Sequence, residues 1–140
     1  MKKTFLAIFL LSSISMFSQN DKVRQSFQRD YPNARDAQWS QTNNQWHSTY
    51  KDDQNRNVNA YYNQDGNRVD THISLDRKDV PQNVDNRANS KYHANGNYQV
   101  QRIERPSNPP LFQIRIQTGT KDRTVYMDEQ GRERRYNDHH

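Results

Sequence analysis

The sequence predicts an α+β fold built as a tandem repeat, each unit a helix followed by a four-stranded antiparallel sheet. Three observations point to it. Val23, Phe27, Tyr31 and Trp39 recur, at identical spacing, as Val84, Ala88, Tyr92 and Val100. Beyond each series the apolar period changes from helical to alternating. The stretch "AYYNQDGNR" (60–68) returns in altered form as "VYMDEQGRE" (125–133) near the end of the chain. Self-similarity at a fixed interval is the mark of a repeated unit.

The elements follow in order. The first three members of each series lie four residues apart, on one side of a helix, which predicts helices at 21–31 and 81–93. Pro32 ends the first and "ANGN" (94–97) the second. Asn20 or Asp21 caps the first, and Asp79 precedes the second, with Pro81 suited to its opening turn. Trp46, Ser48 and Tyr50, then Val58, Ala60 and Tyr62, then Phe112, Ile114 and Ile116, alternate with polar residues as half-buried strands do. Turn chemistry separates them at 41–44, 52–57, 65–66, 118–122 and 129–131. The outward polar positions account for a mean hydropathy of -1.40 without invoking disorder. In "ERPSNPPLF" prolines cannot donate ladder hydrogen bonds, so Pro106, Pro109 and Pro110 are expected in a stiff loop protruding between strands.

The domain plan is a signal peptide at 1–18, a first repeat at 19–78 and a second at 79–138. Lys2 and Lys3, a short apolar run from Phe5 to Leu11 and small polar residues up to Ser18 make the signal peptide, cleaved before Gln19. The run is too short for a membrane anchor, which takes about 20 apolar residues. Export to the periplasm or beyond follows, with no membrane attachment after cleavage. Removing residues 1–18 takes two lysines and no acids, so the formal charge falls from +5 to +3. Only Arg132, Arg134 and Arg135 form a dense basic group, read as a solvated strand face, and no nucleic-acid partner is expected. The absence of cysteine excludes thiol catalysis, disulfide staples, thiolate metal sites and a lipidated N-terminus.

Catalytic and metal chemistry were tested by spacing. If Gly66 is sixth in a calcium loop, Tyr61 and His72 fall where an aspartate and a bidentate glutamate are required; with Gly131 sixth, Tyr126 and Asn137 fall there. The five histidines, His47, His72, His93, His139 and His140, include no pair at a helical or strand same-face spacing. No nucleophile elbow, zinc-protease helix or phosphate loop occurs, so no enzyme, cofactor or metal is expected. Aromatic residues make up 11% of the chain, and Trp39, Trp46, Tyr50, Tyr62, Phe112 and Tyr126 are expected in the core. Tyr61, next to Tyr62 on a strand, must point the other way.

"FQRDYPNARDAQW" (27–39), "DVPQNVDNRANSKY" (79–92) and the aromatic–acid–glycine hairpins resemble the PepSY-like, beta-lactamase-inhibitor-like (BLIP-like) domain family of exported bacterial proteins. Val80 departs from the leucine usual before the proline, and His93 follows Tyr92 where the first copy has Pro32. The resemblance implies a helix-plus-sheet unit used in tandem, with binding or inhibitory roles and no catalytic residues. The resulting expectation is an exported, non-enzymatic binding module that inhibits or regulates an envelope or secreted enzyme. Its protein or peptide partner would meet Tyr61, Arg105, Pro106, Pro109, Pro110 and Arg115. A small-ligand or metal-binding periplasmic protein, and a self-associating matrix component, are the alternatives.

Overall fold

The computed structural model describes residues 20–136. The expected signal peptide, and His139 and His140, lie outside them. The described chain runs α1 (Asp21–Asp30), β1 (Arg35–Thr42), β2 (Gln45–Lys51), β3 (Asn57–Tyr62) and β4 (Arg68–Leu75). A 3-10 turn at Arg77–Asp79 leads to α2 (Gln82–Tyr92), then β5 (Tyr98–Arg105), β6 (Asn108–Thr118), β7 (Lys121–Met127) and β8 (Glu133–Arg134).

The expected tandem repeat of a helix followed by a four-stranded antiparallel sheet is not found. The strands form one eight-stranded antiparallel sheet, ordered β1 to β8 as in the chain, and only two helices accompany it among the described residues. The join is β4 with β5, where Thr71–Leu75 pairs antiparallel with Val100–Glu104. Two four-stranded sheets would leave β4 and β5 as edges with unpaired backbone groups, and pairing them removes both edges at once. Side-chain alternation reports facing within a strand but is blind to which strand lies beside it.

Both helices pack on the same side of this sheet. Val23 and Phe27 of α1 are buried with Trp46, Tyr50, Val58, Ala60, Tyr62 and Ile73. Val84, Ala88 and Tyr92 of α2 are buried with Val100, Phe112, Ile114, Ile116 and Met127. Leu75 on β4 touches both clusters, so the core is continuous across the join. Phe27 is the centre of the first cluster, its ring 4.9 Å from Trp39, 5.4 Å from Tyr50 and 5.5 Å from Tyr31. Large rings let a thin helix-on-sheet layer bury enough area for a polar chain.

Local chemistry sets the ends. The Asn20 side chain accepts the Lys22 backbone N–H at 3.0 Å and caps α1. Asp79 does not cap α2: it lies in the 3-10 turn, and Pro81 occupies the cap position. His93 ends α2 in the left-handed region at φ 51°, with Ala94 N–H returning to the Ala88 carbonyl at 3.2 Å. Asn43 and Asn44, both at positive φ, make the two-residue β1–β2 hairpin.

The acid-and-glycine tips have a structural use. Gly66 (φ 82°) and Gly131 (φ 75°) close the β3–β4 and β7–β8 turns, each against the first turn of a helix. A Cβ on Gly66 would stand 2.8 Å from the Lys22 carbonyl oxygen, and one on Gly131 2.5 Å from that of Asn83. Asn63 Oδ1 accepts the Asp65 and Asn67 N–H groups, and Asp128 Oδ1 those of Gln130 and Arg132, all at 3.0 Å. These polar oxygens tie the turn backbone.

The protruding proline loop is also corrected. Residues 106 and 107 form a tight β5–β6 turn in which Pro106 precedes Ser107 at φ 61°. Pro109 and Pro110 belong to β6. Arg105 pairs with Asn108 and Ile103 with Leu111, so Glu104 alone opposes both prolines in a bulge. A bulge is where a sheet tolerates residues that cannot donate.

Candidate functional site: the uncovered sheet face

Since both helices pack on one side, the alternate residues of every strand face a side that no helix among the described residues covers. Register places His47 opposite Tyr61, Asn59 opposite His72 and Tyr61 opposite Asp70 on that face. It continues with Ile103 opposite His72, Leu111 opposite Ile103, and Tyr126 opposite Gln113 and Arg134.

These side chains form a strip of rings across the sheet. His47 stacks on Tyr61 with centroids 4.6 Å apart and planes 3° from parallel. Tyr61 and His72 are 5.2 Å apart, and His72 meets Tyr136 edge-on at 6.4 Å. Tyr136 stacks on Tyr126 at 5.0 Å and 16°. His47 Nε2 is hydrogen-bonded to Asn59 Oδ1 at 2.9 Å, and Gln113 Nε2 donates to the Tyr126 hydroxyl at 3.1 Å.

Beneath the strip lies Asp70, 6% exposed. Its carboxylate accepts the Tyr136 hydroxyl proton and stands 3.4 Å from His72 Nε2, an ion-pair distance without hydrogen-bond alignment. Burial pushes the Tyr61 hydroxyl pKa up, and the nearby Asp70 charge adds to the rise. Ile103 (0% exposed) and Leu111 (4%) sit on this same side.

The sequence-predicted residues separate into two places. Tyr61 is in the strip. Arg105, two residues beyond Ile103 on β5, shares its facing, and its guanidinium donates to the Pro109 carbonyl at 3.0 Å, next to Pro106 and Pro110 at the hairpin end. Arg115 pairs with Gln99 across β5–β6, three strands from Tyr61. With Arg77, Tyr98, Gln101 and Gln113 it lines a cavity of about 380 Å³. Arg77 lies over the Tyr98 ring at 4.4 Å, and burial together with the hydrogen bond to Asp85 pushes the Tyr98 hydroxyl up to about 12.

Tyr126, expected in the core, belongs to the uncovered face. Met127 is its inward neighbour, and the alternation of "VYM" settles which one is buried. His47, Asp70, His72 and Tyr136 were not singled out as a group. His47 was legible, since it alternates with Trp46 and Ser48, but its pairing with Tyr61 depends on strand register. Asp70 and Tyr136 are 66 residues apart and meet only in the fold. Among the described residues no three His, Cys, Asp or Glu side chains are grouped as a metal site, and no helix is long and apolar enough to cross a membrane.

No protein-family profile and no curated protein matches the chain. Solved structures share its shape. A Bacteroides eggerthii protein, provisionally called periplasmic, is 18% identical with a TM-score of 0.76, over 82% of this chain and 85% of its own. A DUF2874 family protein from Bacteroides ovatus is 22% identical with a TM-score of 0.72, over 79% and 80%. A BLIP-like protein from Bacteroides fragilis is 21% identical with a TM-score of 0.71, over 86% and 90%. At these identities the likeness is one of fold, and the chain has the BLIP-like fold.

Proposed function

We propose that this chain is an exported, non-enzymatic binding module that engages a protein or peptide through the uncovered face of its sheet, and so inhibits or regulates an envelope or secreted enzyme. The observation that carries the reading is the five-ring strip from His47 to Tyr126 on the face opposite the two helices of the described residues. Aromatic rings with hydroxyl or imidazole tips, flanked by arginine, make up the composition favoured at protein interfaces. Export rests on the signal-peptide pattern and is supported by the periplasmic designation of one structural neighbour. The regulatory role is supported by the BLIP-like neighbour and by the PepSY-like motifs at 27–39 and 79–92. Tyr61, Arg105 and Arg115 are the proposed contacts on the face, with Pro106, Pro109 and Pro110 at its hairpin rim.

Photo-crosslinking residues placed at Tyr61 or Arg115, and as controls at exposed Gln25 and Ser90 on the helices, test this in envelope extracts. A protein crosslinked from the sheet positions and not from the helices is the expected result. The same bands from all four positions, or bands from the helices alone, would refute it.

A second reading, a small-ligand-binding protein, is favoured by the cavity of about 380 Å³ beside Arg77 and Arg115. It predicts that citrate raises the melting temperature of the wild type and not of Arg115→Ala; equal responses sink it.

A further inference from the structure

β4 leaves the sheet at Leu75, opposite Val100, and the chain passes into the 3-10 turn at Arg77–Asp79. Tyr98 and Gln99 therefore pair with β6 on one side and have no β4 partner on the other. The cavity of about 380 Å³ is the notch left at that place. Its floor is apolar: Leu75, Val80 and Tyr98 are half-buried residues packed against the α2 cluster, with Val100 among them. Its wall toward the uncovered face is polar, made by Ser74, Gln99, Gln101, Gln113 and Arg115, which alternate with the buried residues of their strands. The two arginines of the notch differ. Arg77 Nη1 donates to the Gly96 carbonyl at 2.6 Å, its Nη2 stands 3.5 Å from the Asp85 carboxylate, and its guanidinium lies over the Tyr98 ring. Arg115 enters no hydrogen bond, ion pair or ring contact among the described residues. The notch thus presents one uncompensated positive charge beside an apolar floor, with side-chain amides between them.

We propose that this notch recognises the C-terminus of a peptide or protein chain whose last residue is apolar. The proposal rests on the binding-module reading and names the part of the partner that is held. One positive charge matches one carboxylate, and the planar fork of Arg115 can donate two parallel N–H bonds to it. The amides of Gln99 and Gln101 supply further donors. The Gln113 amide nitrogen is held by the Tyr126 hydroxyl at 3.1 Å, which leaves its carbonyl oxygen to accept the last peptide N–H of the partner. An apolar final side chain covers what remains exposed of Leu75, Val80 and Tyr98, surface that gains from leaving water. A polyanion gains little more than a single carboxylate, because Asp85 already answers Arg77. A chain interior offers no charge for Arg115, and a C-terminal amide forfeits the charge-assisted bond. Through its bond to Tyr126, Gln113 also joins the notch to the ring strip, so a partner lying on the rings brings its own end within reach. Capture of a terminal carboxylate is a recurring mode of peptide recognition.

The test titrates the chain with acetyl-Ala-Leu, its C-terminal amide, acetyl-Ala-Gly and citrate, while the backbone amide signals of Gln99, Gln101 and Arg115 are followed by NMR. Acetyl-Ala-Leu is expected to saturate these signals at millimolar concentration. Its amide should bind roughly tenfold more weakly for want of the charge, and acetyl-Ala-Gly roughly tenfold more weakly for want of the apolar side chain. Arg115→Gln, a change at an exposed position that leaves the inward face of the sheet untouched, should bind the acid and the amide alike. Arg115→Lys keeps the charge and should still prefer the acid. Equal affinity of wild type for acid and amide, an acid preference that survives Arg115→Gln, or citrate binding more tightly than acetyl-Ala-Leu overturns the proposal. The crosslinks from Tyr61 separate the two readings: if they persist while none of the peptides binds, the notch falls and the binding module stands. If the peptides bind as expected and Tyr61 captures nothing, the notch stands as a site for chain ends and the module falls.

Discussion

His47 lies flat on Tyr61, with centroids 4.6 Å apart, and the two are direct cross-strand partners on β2 and β3. Stacked rings on neighbouring strands contribute about 0.5–1.5 kcal/mol beyond their buried area. A double-mutant cycle of His47→Ala and Tyr61→Ala, read by urea unfolding, is expected to give a coupling energy in that range. Additive single effects would mean that the stack is a coincidence of two independent side chains.

Glycine at 131 and glycine at 119 should respond differently to alanine. Both have positive φ, 75° and 63°, so each substitution carries the left-handed penalty of about 1–2 kcal/mol. Around Gly119 the space is open, whereas a Cβ on Gly131 would lie 2.5 Å from the Asn83 carbonyl oxygen, rigid backbone at the start of α2. Gly131→Ala is therefore expected to lower the unfolding midpoint well beyond Gly119→Ala. Similar losses would show that the turn slides away from the helix at little cost.

Asp128 gives the fold an acid-sensitive joint. Burial pushes its carboxyl up, but hydrogen bonds from the Arg132 backbone and side chain, with the charges of Arg132 and Arg134, outweigh that and hold it below the ordinary carboxylate value. A folded-state pKa depressed in this way contributes stability that is present above the unfolded value of about 3.9 and lost as pH falls through the folded one. Asp128→Asn should cost about 1–2 kcal/mol at pH 7, with the gap to wild type narrowing as pH falls through the depressed folded value. Urea midpoints at several pH values check this, and a gap that does not change with pH would assign the loss to shape and not to charge.

Phe27 touches the ring of Tyr31, just past the end of α1, and rings from β1, β2 and β3. Phe27→Ala should cost about 3–5 kcal/mol, a large share of the 5–15 kcal/mol that holds a domain together. Thermal melting followed by near-ultraviolet circular dichroism reports it directly. A loss below about 1 kcal/mol would show that the surrounding rings collapse into the space.

Helices and strand facings were legible because they are local: four-residue spacing in Val23, Phe27 and Tyr31 and two-residue spacing in Trp46, Ser48 and Tyr50 report burial directly. The polar glycine turns were legible for the same reason. What escaped was lateral. Whether β4 lies beside β5 is decided by the need to pair two open edges, which no spacing encodes. The candidate site inherits that limit, since Tyr61 could be turned outward by alternation while its neighbours His47, Asp70, His72 and Tyr136 come from other strands and from the segment after β8. The prolines misled because their missing N–H was read as a reason to leave the sheet, and a bulge opposite Glu104 lets two of them stay within it.

The rims of the sheet are both spoiled for further pairing. At one, Asp36 in the left-handed region at φ 53° breaks the run of β1 beside the irregularity between Arg35 and Gln38. At the other, β8 pairs with Tyr126 and Met127 alone among the described residues, and the neighbouring length of β7 begins with Lys121, Asp122 and Arg123. Kinks and charge are the devices by which a sheet refuses a ninth strand. An extended peptide, or a second copy offering its own margin, meets poor templates at both ends. On the proposed reading, a partner has to arrive broadside, onto the rings.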